Sequence, residues 1–164
     1  MALYFAYGAN MDVAAMAKRT PGGKPLGVAR LMRHRFVITQ HGYASVVRDP
    51  RGVVFGLLWD FPIGEICILD RFEDIHRGLY TKLEQPVISA NGPRRALIYI
   101  GTGEPGGTPR PGYLETLLRA AAEIGLPEPY RKSLALHLRQ NPSPLGSVHK
   151  SSGKPEREAW TWGD

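Results

Sequence analysis

YFAYGANM, residues 4–11, runs from an apolar strand pattern directly into a turn. Residues 3–7 are aromatic and apolar, which is typical of a buried strand. Gly8 interrupts the pattern, since glycine tolerates backbone angles that other residues resist, and Asn10 is a preferred cap for a helix over residues 11–18. Successive N–H groups in such a turn form a concave donor site for an anion or a developing oxyanion. The segment therefore predicts either an anion-binding loop or a plain strand-to-helix turn.

Strand patterns dominate the next part of the chain. They cover residues 26–32, 35–40, 43–48, 53–60, 79–89 and 94–101. The sequence DPRG at 49–52 predicts a hairpin turn between two of them, and ANGP at 90–93 predicts another. Helical spacing covers residues 63–74, 113–124 and 129–139. This order predicts an α+β fold with mostly antiparallel pairing, in which about six short strands could close into a small β-barrel without exposed edges.

Length and composition suit one globular domain. The chain has 164 residues, 43% of them hydrophobic, and we expect a single domain over 1–139 and an irregular Pro/Ser/Gly-rich tail over 140–164. Cys67 is the one cysteine, which excludes an intrachain disulfide, and its apolar helical setting predicts a small buried side chain. No apolar run approaches the roughly 18 residues of a membrane span, and no signal-peptide pattern precedes the first strand. We therefore expect a soluble, cytoplasmic protein with no membrane partner.

The charge of the chain favours anionic partners. The net charge is +6, but the basic residues are dispersed in short groups, so a generally basic surface is favoured over a nucleic-acid groove. RNA binding is the least favoured of the functions considered. The five histidines show no paired metal-ligand spacing, so we predict no metal site.

A carboxylate in an apolar helix is the second chemical feature. Glu73, in LDRFED at 69–74, lies four residues after Leu69 and seven after Ile66, so it shares their helix face. Burial and the negative end of the helix dipole both disfavour its charge, and we expect them to raise the pKa of Glu73 towards the range of a general base. The alternative is an ion pair with a basic side chain such as Arg77.

Together these motifs resemble the γ-glutamylcyclotransferase family, with its AIG2-like fold, in the branch that has a Y-G-S-N turn after the first strand. The match joins residues 4–11 to VVFGLLWD at 53–60, LDRFED at 69–74, GLY at 78–80 and PGY at 111–113. The resemblance implies a small β-barrel flanked by helices. It also implies intramolecular acyl transfer, in which the substrate's α-amine attacks its γ-carbonyl and releases 5-oxoproline and an amine or amino acid. It implies no cofactor, because a five-membered ring closes readily once the amine is uncharged and held near the carbonyl.

The resemblance also assigns the site residues. Glu73 matches the catalytic glutamate, which would take a proton from the substrate ammonium and return one to the leaving amine. The substrate-binding positions are Tyr7, Gly8, Ala9, Asn10, Tyr80 and Tyr113. The first three would bind through backbone amides, Asn10 would hold the turn, and the two later tyrosines would line the pocket or, alternatively, pack in the core with their hydroxyls at the surface.

Two positions depart from the family pattern. Ala9 stands where Ser is common, which removes a hydroxyl and keeps the backbone N–H. Asp74 stands where Gly is usual, which puts a further charge beside Glu73. We therefore expect an enzyme acting on a small anionic γ-glutamyl substrate, with a non-catalytic binder of such metabolites as the alternative. The leaving group and the oligomeric state stay open.

Overall fold

A computed structural model of the chain describes residues 2–73 and 75–139. The strands are β1 (Ala2–Ala6), β2 (Lys24–Ile38), β3 (Ala44–Phe61), β4 (Tyr80–Ser89) and β5 (Gly92–Gly101). The α-helices are α1 (Val13–Arg19), α2 (Ile66–Phe72), α3 (Tyr113–Glu123) and α4 (Glu128–Arg139). Short 3-10 helices cover Ala9–Met11, Ile63–Glu65 and Ile75–Arg77. Asp74 and the expected tail at 140–164 lie outside the described residues, and the domain division at residue 139 stays a prediction.

The five strands form a closed barrel in the order β1-β3-β2-β4-β5. All neighbours are antiparallel except β1 and β5, which close the barrel in parallel through Tyr4 opposite Leu97. Closure leaves no exposed sheet edge in the barrel. The expected α+β class, with a mixed and mostly antiparallel barrel flanked by helices, is confirmed.

The hairpin predicted at residues 49–52 is wrong. β3 runs unbroken through this segment, and its two halves both pair with β2, so that Met32 lies opposite Val53 and His34 opposite Arg48. The four residues between them are an insertion in the ladder rather than a turn. Gly52 fits there because its backbone lies against β2, where an added Cβ would be 2.1 Å from the His34 oxygen. A short segment that contains both Pro and Gly can thus mark a bulge as well as a hairpin turn.

The other element predictions were close to the structure. The hairpin at 90–93 is confirmed by the pairing of β4 with β5, and helices occupy the ranges predicted for α2, α3 and α4 within a few residues. The expectation that Cys67 is buried is wrong, because its side chain is exposed. Helix α2 is only two turns long, with Leu69 as its buried residue, and Cys67 lies on its exposed side.

One apolar core fills the barrel and continues beneath α3. Its fully buried side chains include Phe5, Trp59, Phe61, Ile98 and Leu117. This core fixes the end of β1 and the starts of β3, β4 and α3, which together surround one opening of the barrel. No helix in the described ranges is both long and apolar enough to cross a membrane.

Candidate active site

A cavity of about 400 Å³ lies at this opening of the barrel. All seven candidate residues from the sequence line it: Tyr7, Gly8, Ala9, Asn10, Glu73, Tyr80 and Tyr113. The structure therefore brings together positions that are up to about a hundred residues apart in the sequence. The cavity is large enough to hold a small metabolite.

The turn after β1 forms one wall of the cavity. β1 ends at Ala6, and the 3-10 helix Ala9–Met11 then leads to α1. The cap of α1 is Asp12, whose carboxylate accepts a hydrogen bond from the N–H of Ala15 at 3.1 Å. Our prediction that Asn10 caps this helix is therefore wrong: a 3-10 turn intervenes, and the capping position falls two residues later.

The φ of Gly8 is −114°, so the residue lies outside the left-handed region that favours glycine. An added Cβ would lie 3.4 Å from the Tyr113 hydroxyl and 3.5 Å from the Ala44 Cβ, so the glycine keeps this side of the cavity open. Among the described hydrogen bonds outside helices and strands, none comes from the N–H groups of Gly8, Ala9 or Asn10.

Asn10 is the centre of a buried hydrogen-bond network. Its Nδ2 donates to the Tyr4 hydroxyl and to Glu73 Oε1, each at 3.0 Å. Its Oδ1 accepts from the Arg19 guanidinium at 2.7 Å, and its backbone oxygen accepts from the Trp59 indole at 3.1 Å. Asn10 therefore joins the turn to the carboxylate of Glu73 on the opposite wall.

Glu73 follows the last residue of α2. Its backbone N–H donates to the Leu69 oxygen at 2.9 Å, which places it one turn beyond the only buried residue of the described helix. The side chain is half-buried and reaches the cavity. Asp70, which precedes it by three residues, accepts from Lys82 and from the Tyr99 hydroxyl, both at 2.7 Å. These two donors belong to β4 and β5, so they connect α2 to the barrel.

Two of the expected tyrosines meet at the start of β3. The Tyr80 hydroxyl donates to the Ala44 oxygen at 2.8 Å, and the Tyr113 hydroxyl accepts from the Ala44 N–H at 3.2 Å. The Tyr113 oxygen uses its acceptor in this contact, so its proton can point to a group in the cavity. Both hydroxyls are therefore inside the site and not at the outer surface.

Burial keeps the phenols of the site protonated. It raises the pKa of Tyr4, Tyr7, Tyr80 and Tyr113 above the ordinary value, and the Glu73 carboxylate raises each of them further. At neutral pH these hydroxyls are neutral hydrogen-bonding groups. The one side-chain carboxylate lining the cavity in the described part of the chain is that of Glu73.

Several lining residues escaped the sequence analysis. Tyr4 was assigned only to a buried strand, yet its hydroxyl bonds to Asn10. Arg110 lies in a loop rich in Pro and Gly, whose sequence shows neither the periodicity of a helix nor that of a strand. Its guanidinium sits 4.9 Å from the centroid of the Tyr43 ring, and its Nε donates to the His41 oxygen at 3.1 Å. The fold of this loop brings the cation to the cavity, and no periodic pattern in the sequence indicates that position.

Metal ligands are sparse in this site. Within residues 2–73 and 75–139, no three side chains of His, Cys, Asp or Glu come together as a metal-binding group. The cavity offers phenols, amides, one carboxylate and peripheral cations instead. This arrangement suits the binding of an organic anion and proton transfer.

The profile of the AIG2-like family matches residues 53–134. The chain belongs to the AIG2-like family. The matched range contains Glu73, Tyr80 and Tyr113, while the turn at residues 7–10 lies before it. The resemblance found in the sequence is thereby confirmed.

Individual relatives match a larger part of the chain than the family profile does. Proteins named γ-glutamylcyclotransferase from Bos taurus and Homo sapiens are each 29% identical over 143 residues, covering 80% of this chain and 76% of theirs. A solved γ-glutamyl cyclotransferase structure superposes with a TM-score of 0.77 at 24% identity, covering 96% of this chain and 95% of that one. An uncharacterized human protein superposes with a TM-score of 0.75 at 26% identity, covering 96% and 94%. The AIG2-like barrel is thus shared along nearly the whole length.

Proposed function

We propose that this protein is a γ-glutamyl cyclotransferase. The observation that carries the proposal is the position of Glu73, whose carboxylate is held at 3.0 Å by Asn10 in a cavity lined largely by tyrosines and by the turn after β1. Glu73 supplies the one carboxylate that lines the cavity within the described residues, and a carboxylate there suits the movement of protons to and from a bound amine. Relatives named γ-glutamylcyclotransferase at 29% identity support the same activity.

The reaction needs one group that carries protons. Glu73 takes a proton from the substrate's α-ammonium, and the neutral amine attacks the γ-carbonyl carbon of the same molecule. The new C–N bond closes a five-membered ring, and the carbonyl oxygen becomes an oxyanion. When the oxyanion collapses, the original amide C–N bond breaks, and protonated Glu73 gives its proton to the leaving nitrogen. The ring nitrogen then loses its second proton to Glu73, which passes it to the released amine. The products are 5-oxoproline and an amine or amino acid, and no water is consumed.

The turn residues Tyr7, Gly8 and Ala9 bind the substrate through backbone N–H groups in this proposal. Donors fixed before the reaction stabilise developing negative charge without reorganising. The hydroxyl that Ala9 lacks is not needed for such contacts. Tyr80 and Tyr113, joined through Ala44, line the cavity and hold the substrate in the folded conformation that brings its α-amine to its γ-carbonyl.

Proton transfer and ring closure need no redox or electrophilic group, so we propose a cofactor-independent reaction of the lyase type. A cytoplasmic location is part of the same proposal, supported by a single cysteine, since disulfide-free chains are typical of reducing compartments. Asp74 lies outside the described residues, and its effect on Glu73 is left to experiment.

A substrate panel tests the proposal. γ-Glutamyl amino acids and γ-glutamyl amines are supplied to the purified protein after dialysis against a chelator, and 5-oxoproline is quantified. We expect stoichiometric 5-oxoproline and free amine from at least one class. Ligand-induced thermal stabilisation without product would favour the non-catalytic binder, and the absence of both product and stabilisation would contradict the proposal.

A further inference from the structure

Arg19 makes a set of contacts that the proposed reaction leaves unused. It ends α1, and it bonds to Asn10 without being among the residues that line the cavity. Its Nη1 donates to Asn10 Oδ1 at 2.7 Å and approaches Met16 Sδ at 3.4 Å. Its guanidinium carbon lies 3.8 Å from the centroid of the Phe72 ring. Arg19 thus connects the turn to the residue immediately before Glu73.

The guanidinium determines which way the Asn10 amide faces. Arginine only donates hydrogen bonds, so the atom of Asn10 that faces it must be the oxygen. The amide nitrogen then faces Glu73, whose ionised carboxylate only accepts. A flipped amide would set N–H against the guanidinium and oxygen against the carboxylate, losing both bonds. Because a carboxamide can rotate, the bond to Glu73 depends on what holds the other end.

The setting of Arg19 fits this task. Burial lowers the pKa of its guanidinium, while the Glu73 carboxylate acts in the opposite direction. A half-buried cation costs free energy unless it is well paired, and Arg19 is paired with an amide oxygen and an aromatic ring. The planar fork of arginine, unlike the flexible ammonium of lysine, can bond the amide while stacking on Phe72.

We propose that Arg19 is a positioning residue that locks the Asn10 carboxamide, so that its N–H group holds Glu73 in the orientation needed for proton transfer. Arg19 lies behind Asn10 and acts through it rather than on the substrate. This inference rests on the proposed function for its kinetic consequences. The amide orientation itself is a property of the resting protein and is tested without any substrate.

The kinetic test is a double-mutant cycle with Arg19→Met and Asn10→Ala. If Arg19 acts through Asn10, Arg19→Met should lower kcat about 10-fold to 100-fold and change KM less than twofold. The reason is that a misplacement of the Glu73 carboxylate by about 1 Å costs up to about 100-fold in rate. In the Asn10→Ala background the same substitution should lower kcat less than twofold. Equal losses in both backgrounds would mean that Arg19 acts by its charge or through folding, and would overturn the proposal.

Two further variants separate geometry from charge. Arg19→Lys keeps the charge but not the planar fork, so we expect it to recover less than a third of the lost kcat; full recovery would overturn the lock. Lys18→Met is the matched control, since it removes a cation from an exposed neighbouring position in the same helix, and it should leave kcat unchanged. A loss in Lys18→Met equal to that in Arg19→Met would also contradict the proposal.

The substrate-free test is the NMR signal of the Asn10 side-chain amide. In the wild type both Nδ2 protons have partners, in Tyr4 and Glu73, so they should give two well-separated resonances that exchange slowly with water. We expect Arg19→Met to shift both resonances towards the values of a solvent-exposed asparagine and to accelerate their exchange with water at least tenfold. Unchanged resonances would overturn the lock even if the enzyme is active. Changed resonances in a protein that makes no 5-oxoproline would support the lock and contradict only the proposed function.

Discussion

The two walls of the cavity differ in how they are held. The turn wall, residues 7–11, continues from β1 of the closed barrel, and Asn10 and Met11 are almost completely buried in it. The carboxylate wall, α2 and Glu73, is a two-turn helix with one buried side chain, Leu69. A short helix with one core contact is weakly fixed by itself. The reactive carboxylate therefore depends on cross-links from the better-anchored turn wall, of which the bond from Asn10 is the most direct.

The largest expected effect is the loss of the carboxylate. Glu73→Gln keeps the size of the side chain and can still bond to Asn10 after an amide flip, but it cannot accept the ammonium proton. We expect kcat to fall by about 100-fold to 10,000-fold, the contribution of a general base. The measurement is 5-oxoproline production by variants of equal thermal stability. Glu115→Gln, at an exposed position of α3, is the matched control, and full activity of Glu73→Gln would refute the assigned mechanism.

Truncation of one buried side chain in each wall sharpens the comparison. Leu69→Ala and Met11→Ala each remove a side chain with 0% exposure and should cost about 2–5 kcal/mol of unfolding free energy. Leu69 is the buried residue of α2 in the described part of the chain, so Leu69→Ala should also lower kcat at least fivefold more than Met11→Ala. Urea denaturation measures the first quantity and steady-state kinetics the second. A larger loss of kcat in Met11→Ala would reverse the account of the two walls.

The buried phenols predict a stability limit at alkaline pH. The pKa values of Tyr4, Tyr7 and Tyr80 are raised in the folded state, so the folded protein holds these protons more tightly than the unfolded chain does. Their contribution to stability is complete below the unfolded pKa, about 10, and is lost as the pH rises through the folded values. The unfolding free energy should fall above pH about 10, by up to about 1.4 kcal/mol per pH unit for each such tyrosine.

Ultraviolet titration checks this alkaline limit. Phenolate absorbance should develop together with loss of the folded structure. Reversible titration of these tyrosines near pH 10 in the folded protein would contradict the burial of the turn wall, since buried phenols resist ionisation.

The smallest effect is expected at the two tyrosines joined through Ala44. Tyr80→Phe and Tyr113→Phe each lose one hydrogen bond, worth about 0.5–1.5 kcal/mol of stability. Tyr113→Phe leaves the buried N–H of Ala44 without its acceptor, so it should be the more destabilising of the two. Thermal denaturation ranks them. The reverse order would show that the Ala44 N–H finds another partner.

Local sequence signals predicted the barrel, the turn after β1 and the position of Glu73, whereas Tyr80 and Tyr113 were assigned only by the family resemblance. Alternating apolar residues and the ANGP turn gave strands and a hairpin, because these signals depend on neighbours in sequence. The position of Glu73 followed from its spacing to Leu69. In contrast, DPRG was predicted to be a turn because nothing in the sequence shows that β2 pairs with both halves of β3.

The remaining site residues depend on contacts distant in sequence. Asn10 and Glu73 were each identified, but not the bond between them, which spans 63 positions. Tyr4 and Arg110 carried no pattern that distinguishes a site residue from a core or loop residue. Such roles come from closure of the barrel, which places residues from several elements around one cavity.

The most direct test of the account is the fate of the oxygen atoms during turnover. γ-Glutamyl-alanine is incubated with the protein in heavy-oxygen water, and the masses of the products are measured by mass spectrometry. If the substrate amine closes the ring with Glu73 carrying the proton, the products are unlabelled 5-oxoproline and alanine in equal amounts. Glutamate carrying one heavy oxygen would show that water is the nucleophile and would contradict the cyclotransferase mechanism.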